Sequence, residues 1–347
     1  MTGTAGRGAA PVGAASACVL LASVLWGTTG TAATLAPDVG PLAIGAVAMG
    51  LGGLLQAVVA APRIRREAPL LRAQRGVVLL GAVAVAAYPP AFYSSMHLAG
   101  VATGTVVSIG SAPLASALIE RVVDGRRLTR RWITGAVLGL SGTVLLCAAE
   151  ATAGTSSGPG ARPAGSTVLG VALGLTAGLT YAVYSWAAHR LIGRGLTSGA
   201  AMGTVFGIGG LLLVPVLPAT GAPLLDSWSA AAVGAYMALV PMFLGYVLFG
   251  WGLARVGAST ATTLTLLEPA VAAVLAVLVV GERLRPAGWA GVALIVCCLG
   301  VLTVPFPGAA GPRAATPPRP LPPVEEDADV SMPHRAPAGE HVRAEGH

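Results

Sequence analysis

The chain has no lysine, and only 10% of its 347 residues are charged. A soluble domain of this length carries roughly a quarter charged residues. With 54% hydrophobic residues and a mean hydropathy of +0.76, the polar surface that water demands is missing. That excludes a soluble globular class and leaves a polytopic membrane protein. Aromatics are scarce at 5%, whereas glycine reaches 48 residues. Helices in lipid have no hydrophobic drive toward one another, so small residues at their interfaces let the backbones approach. Gly135/Gly139, Gly170/Gly174/Gly178 and Gly203/Gly207 have the spacing for this.

Cysteine and histidine are equally sparse. Cys18, Cys147, Cys297 and Cys298 all fall in apolar stretches, which gives neither a disulfide framework nor a metal spacing. His334, His341 and His347 sit in the tail, and His97 and His189 close two apolar runs. No metal site and no cofactor is expected.

What the chain does have is apolar runs of about 20 residues, the length that crosses a bilayer. Ten are predicted: 16–35, 42–61, 76–95, 101–123, 132–149, 167–188, 199–217, 230–253, 259–280 and 287–304. The first could pass for a signal peptide, but nine further spans point to an uncleaved first helix. With the N-terminal segment 1–15 in the cytoplasm, the inward loops and N-terminus carry 14 arginines and the outward loops only three. This positive-inside bias puts both termini in the cytoplasm of a multi-pass plasma-membrane protein. The net charge of +7 is then a topology signal, and no nucleic-acid partner is expected. Residues 150–166, "EATAGTSSGPGARPAGS", read as an external linker between two sets of five spans. Residues 305–347 are Pro-rich and hold six of the fourteen acids, so a disordered cytoplasmic tail is expected.

The two halves resemble each other. "GVATGTVVSIGSAPLASALIERVVDGRRLTRRWITGAVLGL" from Gly100 aligns with "VGASTATTLTLLEPAVAAVLAVLVVGERLRPAGWAGVALIV" from Val256. At this offset of 156, Pro113 meets Pro269, Gly125 meets Gly281, Leu128 meets Leu284 and Gly135 meets Gly291. Trp26 has a counterpart in Trp186. An odd number of spans per half inverts the second repeat (16–149 against 167–304). Inverted repeats are a mark of secondary transporters, whose substrate site lies at the repeat interface near the midplane. The expected fold is therefore an all-α membrane protein of ten helices in two inverted five-helix repeats.

The stretch "LEPAVAAVLAVLVVGERLRPAGWAGVALIVCCLGVL", from Leu267, has an acid–proline pair, an apolar helix, a Gly-Glu-Arg-Leu turn and a Gly-rich last helix. It closely resembles the C-terminal signature of the EamA family within the drug/metabolite transporter superfamily. "VLWGTT" in the first span resembles that family's N-terminal signature. The first half departs from the pattern at Arg126, where the family often has Glu, and at Ala112 before the proline. The resemblance implies movement of small metabolites, amino-acid-like or drug-like, often outward and by alternating access.

Glu268 lies about ten residues into its span, near the midplane at 1.5 Å per residue. A carboxylate facing lipid there costs several kcal/mol, so it should point into the bundle. Pro269 should leave the carbonyl of Thr265 without its helix partner. The pair is expected to line a central cavity, contacting substrate or carrying a coupling proton, with a purely structural hydrogen bond as the alternative. Further cavity candidates are Trp26, Tyr93, Tyr184, Tyr246, Ser111 and Pro113; packing is an equal alternative for the aromatics. Glu120, beside Arg121, reads as a snorkelling or paired interfacial charge.

The competing class is a membrane-embedded enzyme such as an intramembrane protease. Ser111 would need a histidine on a facing helix, and no paired acid accompanies His97 or His189. The implied partners are thus a small-molecule substrate and the lipid bilayer; nothing in the sequence specifies an oligomeric state.

Topology is directly testable. In a background without the native cysteines, an impermeant thiol reagent should label Ser157→Cys in intact cells and spare Ala73→Cys. The reverse pattern would overturn the orientation.

Overall fold

A computed structural model of the protein describes residues 12–99, 101–154, 164–280 and 285–304. Among the described residues every regular element is helical. The first span is α1 (Val12–Gly27) with α2 (Thr29–Ala33). The second is α3 (Pro41–Gly45), a π-helical stretch Ala46–Leu51, and α4 (Gly52–Arg66). A short α5 (Ala68–Ala73) leads to α6 (Arg75–Ala99), α7 (Val101–Val123) and α8 (Arg130–Gly154), the third to fifth spans. The sixth is α9 (Ala164–Gly193), and the seventh α10 (Ser198–Leu213) with α11 (Leu217–Thr220). The eighth runs α12 (Trp228–Met237), a π-helical stretch Ala238–Leu244, and α13 (Gly245–Val256). The ninth is α14 (Ala258–Leu264), α15 (Leu267–Leu275) and a π-helical stretch Ala276–Val280; α16 (Pro286–Thr303) is the last.

Nine helical stretches among the described residues are long and apolar enough to cross a bilayer. The fifth predicted span is present as the 25-residue α8 but stands outside those nine. Helix α8 extends to Gly154 and α9 begins at Ala164, so the described ends of segment 150–166 are helical. The rest of that linker, the first eleven residues, residues 281–284 and the tail lie outside the described residues.

Large apolar side chains such as Val58, Leu79, Val83, Leu118, Val137, Leu175 and Leu211 point outward. In water such a surface would aggregate; in a bilayer it is the face that meets the acyl chains. The interior is filled instead by small residues and a cluster of aromatics.

The two halves interlock. Helix α6 lies along α9 and its repeat counterpart α13 along α1, while α10 packs on α4 and α16 on α8. Each repeat thus buries its first helix in the other half, and the interface between repeats becomes the middle of the molecule. The small-residue series read from the sequence sit at these contacts. A Cβ on Gly203 would fall 2.6 Å from that of Ala60, and one on Gly170 2.7 Å from that of Ala99.

The tightest approach to a neighbouring backbone is between the second and seventh spans, where a Cβ on Gly53 would run into the carbonyl oxygen of Phe206. Gly53→Val should lower stability by about 1–3 kcal/mol, the usual cost of overpacking, seen as a reduced melting temperature in detergent. Gly300→Val should be neutral, because nothing lies within 4 Å of the added carbon.

Candidate functional site

The ninth span is broken in its middle. Helix α14 is rich in threonine, and these hydroxyls bond back to its own carbonyls: Thr262 to Ala258, Thr263 to Ser259 (2.7 Å) and Thr265 to Thr262 (2.8 Å). Such back-bonding loosens a helix end and lets it turn. At Thr265–Leu266 the helix stops, and α15 starts at Leu267. Pro269 therefore stands in the first turn of a new helix, where its missing N–H breaks no bond and its fixed φ fits. This corrects one expectation. The carbonyl of Thr265 is not left open, because it accepts the N–H of Glu268 at 3.0 Å.

Glu268 occupies the same first turn, where the dipole of α15 favours a negative charge. Its residue is half-buried, and its carboxylate has no hydrogen-bond partner among the described residues. Tyr88, Tyr93, Tyr181 and Tyr246 all lie close enough to interact with that charge. Opposite it, Gly27 of "VLWGTT" lets the first span approach: a Cβ there would fall 3.0 Å from the carbonyl oxygen of Glu268. The two family-like signatures of the sequence thus touch each other at the centre of the bundle.

Trp26 packs against Tyr246 and Phe249, with ring centroids 4.7 and 5.4 Å apart. Its indole N–H donates to the carbonyl of Pro241 at 2.8 Å, inside the wide turn of the eighth span. Gln56 donates to the next carbonyl, that of Met242, at 3.3 Å. A proline in a helix disturbs the ladder around it, and these two donors reach across from the first and second spans to the displaced backbone. The hydroxyls of Tyr184 and Tyr246 bond each other at 2.8 Å, and Tyr181 donates to the hydroxyl of Thr265 at 3.0 Å.

The structure brings Glu268, Pro269, Trp26, Tyr93 and Tyr246 into one neighbourhood, with Tyr184 joined through Tyr246. Trp26, Tyr184 and Tyr246 are almost fully buried in the aromatic packing, whereas Tyr93 and Glu268 keep accessible surface. Ser111 lies against Gly178, with its hydroxyl toward the carbonyl of Ser108; Pro113 is buried on the same helix. Tyr88 and Tyr181 were not among the candidates taken from the sequence, and Thr265 entered only through its carbonyl, not its hydroxyl. The signal was there: Tyr181 stands three residues before Tyr184, on the same face of a helix.

Glu120 is the second acid of interest, at the arginine-rich end. It is 3% exposed and does not snorkel. Its carboxylate accepts the N–H groups of Ala258 (2.9 Å) and Ser259 (3.3 Å) and the hydroxyl of Ser259 (2.7 Å). The fourth span thereby caps the start of the ninth, where four N–H groups lack helical partners. Gly257 makes the geometry possible: at φ 84° it turns α13 into α14 in one residue. The expected pairing of this acid is also present, with Arg126 at 3.6 Å. Two neighbouring acids are engaged in the same way. Glu67 takes the N–H and hydroxyl of Thr197, both at 2.9 Å, and Asp124 takes the indole of Trp186 at 2.8 Å and Arg190.

The EamA-like transporter family matches this chain twice, over residues 14–148 and 168–304. The uncharacterized transporter YwfM of Bacillus subtilis (strain 168) is 34% identical over 85% of this chain and 93% of its own length. A protein of Streptantibioticus cattleyicolor named as a probable terminal-alkyne amino-acid exporter is 27% identical, covering 79% of this chain and 91% of its own. The threonine/homoserine exporter RhtA of Escherichia coli (strain K12) is 29% identical over 77% of this chain and 83% of its own.

The Glu120 cap has a measurable weight. Glu120→Ala strips three donors of their acceptor in a buried place and should destabilise by about 2–4 kcal/mol. Glu120→Gln retains one acceptor oxygen and should fall between Ala and the parent. Equal melting temperatures for all three in detergent would show that the contact carries no weight.

Proposed function

The chain belongs to the EamA-like transporter family, and from that premise we propose that it exports small amino-acid-like metabolites across the plasma membrane by alternating access. Both termini are cytoplasmic in this reading, which the arginine asymmetry supports, so the Glu120 cap closes the cytoplasmic end. The substrate class is carried over from the two relatives named as exporters of amino acids.

One observation supports a site at Glu268 above the others. From Ser259 at the capped end to Glu268 is nine residues of largely helical chain, or about 14 Å at 1.5 Å per residue. That is close to half the thickness of the hydrocarbon core, about 30 Å. A carboxylate at this depth is costly unless it has work to do, and this one has no hydrogen-bond partner among the described residues. Among the described residues no donor–acceptor pair supports the structural alternative, an internal hydrogen bond. Glu268 is then the anionic partner for the ammonium group of an amino-acid-like substrate, or for a coupling proton that exchanges with it. Tyr88, Tyr93 and Tyr181 supply hydroxyls and ring faces around the same point, suited to a polar head on a small apolar body. Pro269 and Trp26 position the acid, one by starting the helix that presents it and the other by fixing the eighth span behind it.

Glu268→Gln keeps shape and hydrogen-bonding capacity but cannot ionise. It should reach the membrane at the parent's level and reduce amino-acid efflux from loaded vesicles by roughly tenfold or more, the scale on which a positioned proton-handling group acts. The remaining flux should lose its dependence on pH. Parent-like efflux at every pH between about 5 and 8, a range that brackets such a group, would remove ionisation of Glu268 from the mechanism.

A further inference from the structure

A cavity of about 690 Å³ opens between the second, seventh and eighth spans at the arginine-rich end. It is separate from the Glu268 neighbourhood: none of the tyrosines around that acid lines it. Its walls are apolar, with Val59, Met202, Val247 and Trp251 prominent, and its rim carries Arg63 and Arg255. Val59 is 56% and Val247 45% exposed, so the cavity opens sideways onto the lipid-facing surface.

The charge at the rim is not neutralised by the protein. No acid lines the cavity. The guanidinium of Arg63 makes no hydrogen bond or ion pair among the described residues, and it lies beside Gly199, 3.0 Å from where a Cβ would stand. Arg255 donates only to the carbonyl of Trp251 one turn back, at 2.7 Å, and stacks on the ring of Trp251 at 3.8 Å. The nearest acid in the chain's own loop, Glu67, has both oxygens committed to Thr197. At the same end Arg126 and Arg190 each have a carboxylate, so the acids there that pair with arginine are already taken.

Two unpaired guanidinium groups over an apolar cleft have one natural complement. The headgroup phosphate of an anionic phospholipid takes bidentate hydrogen bonds from arginine, and an acyl chain fills the apolar part below. From Arg63 to Gln56, the deepest polar residue of the lining, the helix spans seven residues, or about 10 Å. That leaves room for the upper part of a chain beneath a headgroup held at the rim. We propose that this cleft is a binding site for an anionic phospholipid of the leaflet at the arginine-rich end. The proposal depends only on the chain spanning a membrane and not on the assignment of Glu268. A lipid seated there bridges the second, seventh and eighth spans, the last of which carries the Pro241 turn.

The test uses the full chain in mild detergent, read by native mass spectrometry and by melting temperature. The probes are dioleoylphosphatidylglycerol, dioleoylphosphatidylcholine and inorganic phosphate. The parent should retain and be stabilised by the phosphatidylglycerol far more than by the other two. In the Arg63→Gln/Arg255→Gln double variant its affinity should fall roughly ten- to thirtyfold, about one basic contact per arginine. Arg72→Gln/Arg127→Gln, with the same loss of charge outside the cleft, should retain it. Val59→Trp fills the apolar wall without touching the rim and should also weaken retention. Equal retention by the two double variants would reduce the effect to general surface charge and overturn the site. Equal stabilisation by inorganic phosphate, or full retention in Val59→Trp, would replace the lipid by a soluble anion.

Discussion

The carboxylate of Glu120 ties the halves together at one end. An ionised group 3% exposed is stable only when its lone pairs are filled, and here the start of the ninth span fills them. The dependence is mutual: the first N–H groups of α14 have no helical acceptor, and in a bilayer no water supplies one. The break between the eighth and ninth spans is a single glycine, too short to bring its own cap, so the cap comes from the other repeat. The position of α14, and with it the depth of Glu268, is referred to the fourth span.

The same constraint explains the middle of the molecule. A helix interrupted at Thr265–Leu266 and another widened at Pro241 would each be costly in hydrocarbon if their polar groups went unmatched. Threonine hydroxyls fold back onto α14, Glu268 supplies its own N–H to Thr265, and Trp26 and Gln56 reach the eighth span from outside. The aromatics, few as they are, gather where these repairs are made. Trp26 serves both purposes, filling space against Tyr246 while bonding Pro241. A smaller residue at Trp26 would remove both functions at once.

Much of the architecture was legible. Apolar runs and the offset of 156 pointed to the spans and the two repeats, because these depend on patterns that recur over twenty or more residues. The glycine series also proved to lie at helix contacts, since spacing alone determines which face they share. What was not legible depends on partners distant in sequence. Glu120 read as an interfacial charge because its acceptor role needs Ala258 and Ser259, 138 and 139 residues away. Pro269 read as leaving the Thr265 carbonyl open because the helix break just before it, at the end of a threonine-rich helix, is not marked by hydropathy. Tyr88 and Tyr181 belong with Glu268 only once the third, sixth and ninth spans are packed.

The repeats share a backbone plan but not the chemistry of their ends. The residue 156 positions after Glu120 is Ala276, and the counterparts of Ala258 and Ser259 are Ala102 and Thr103. The acid that closes one end therefore has no twin at the other. Opening at the arginine-rich end requires a buried carboxylate to exchange helix N–H groups for water, together with whatever rearranges around Glu67 and Asp124. Two ends that differ in this acid would differ in the energy of opening if the proposed alternating access exposes each in turn. Under the proposed alternating access, the asymmetric acid would bias the balance between the two conformations.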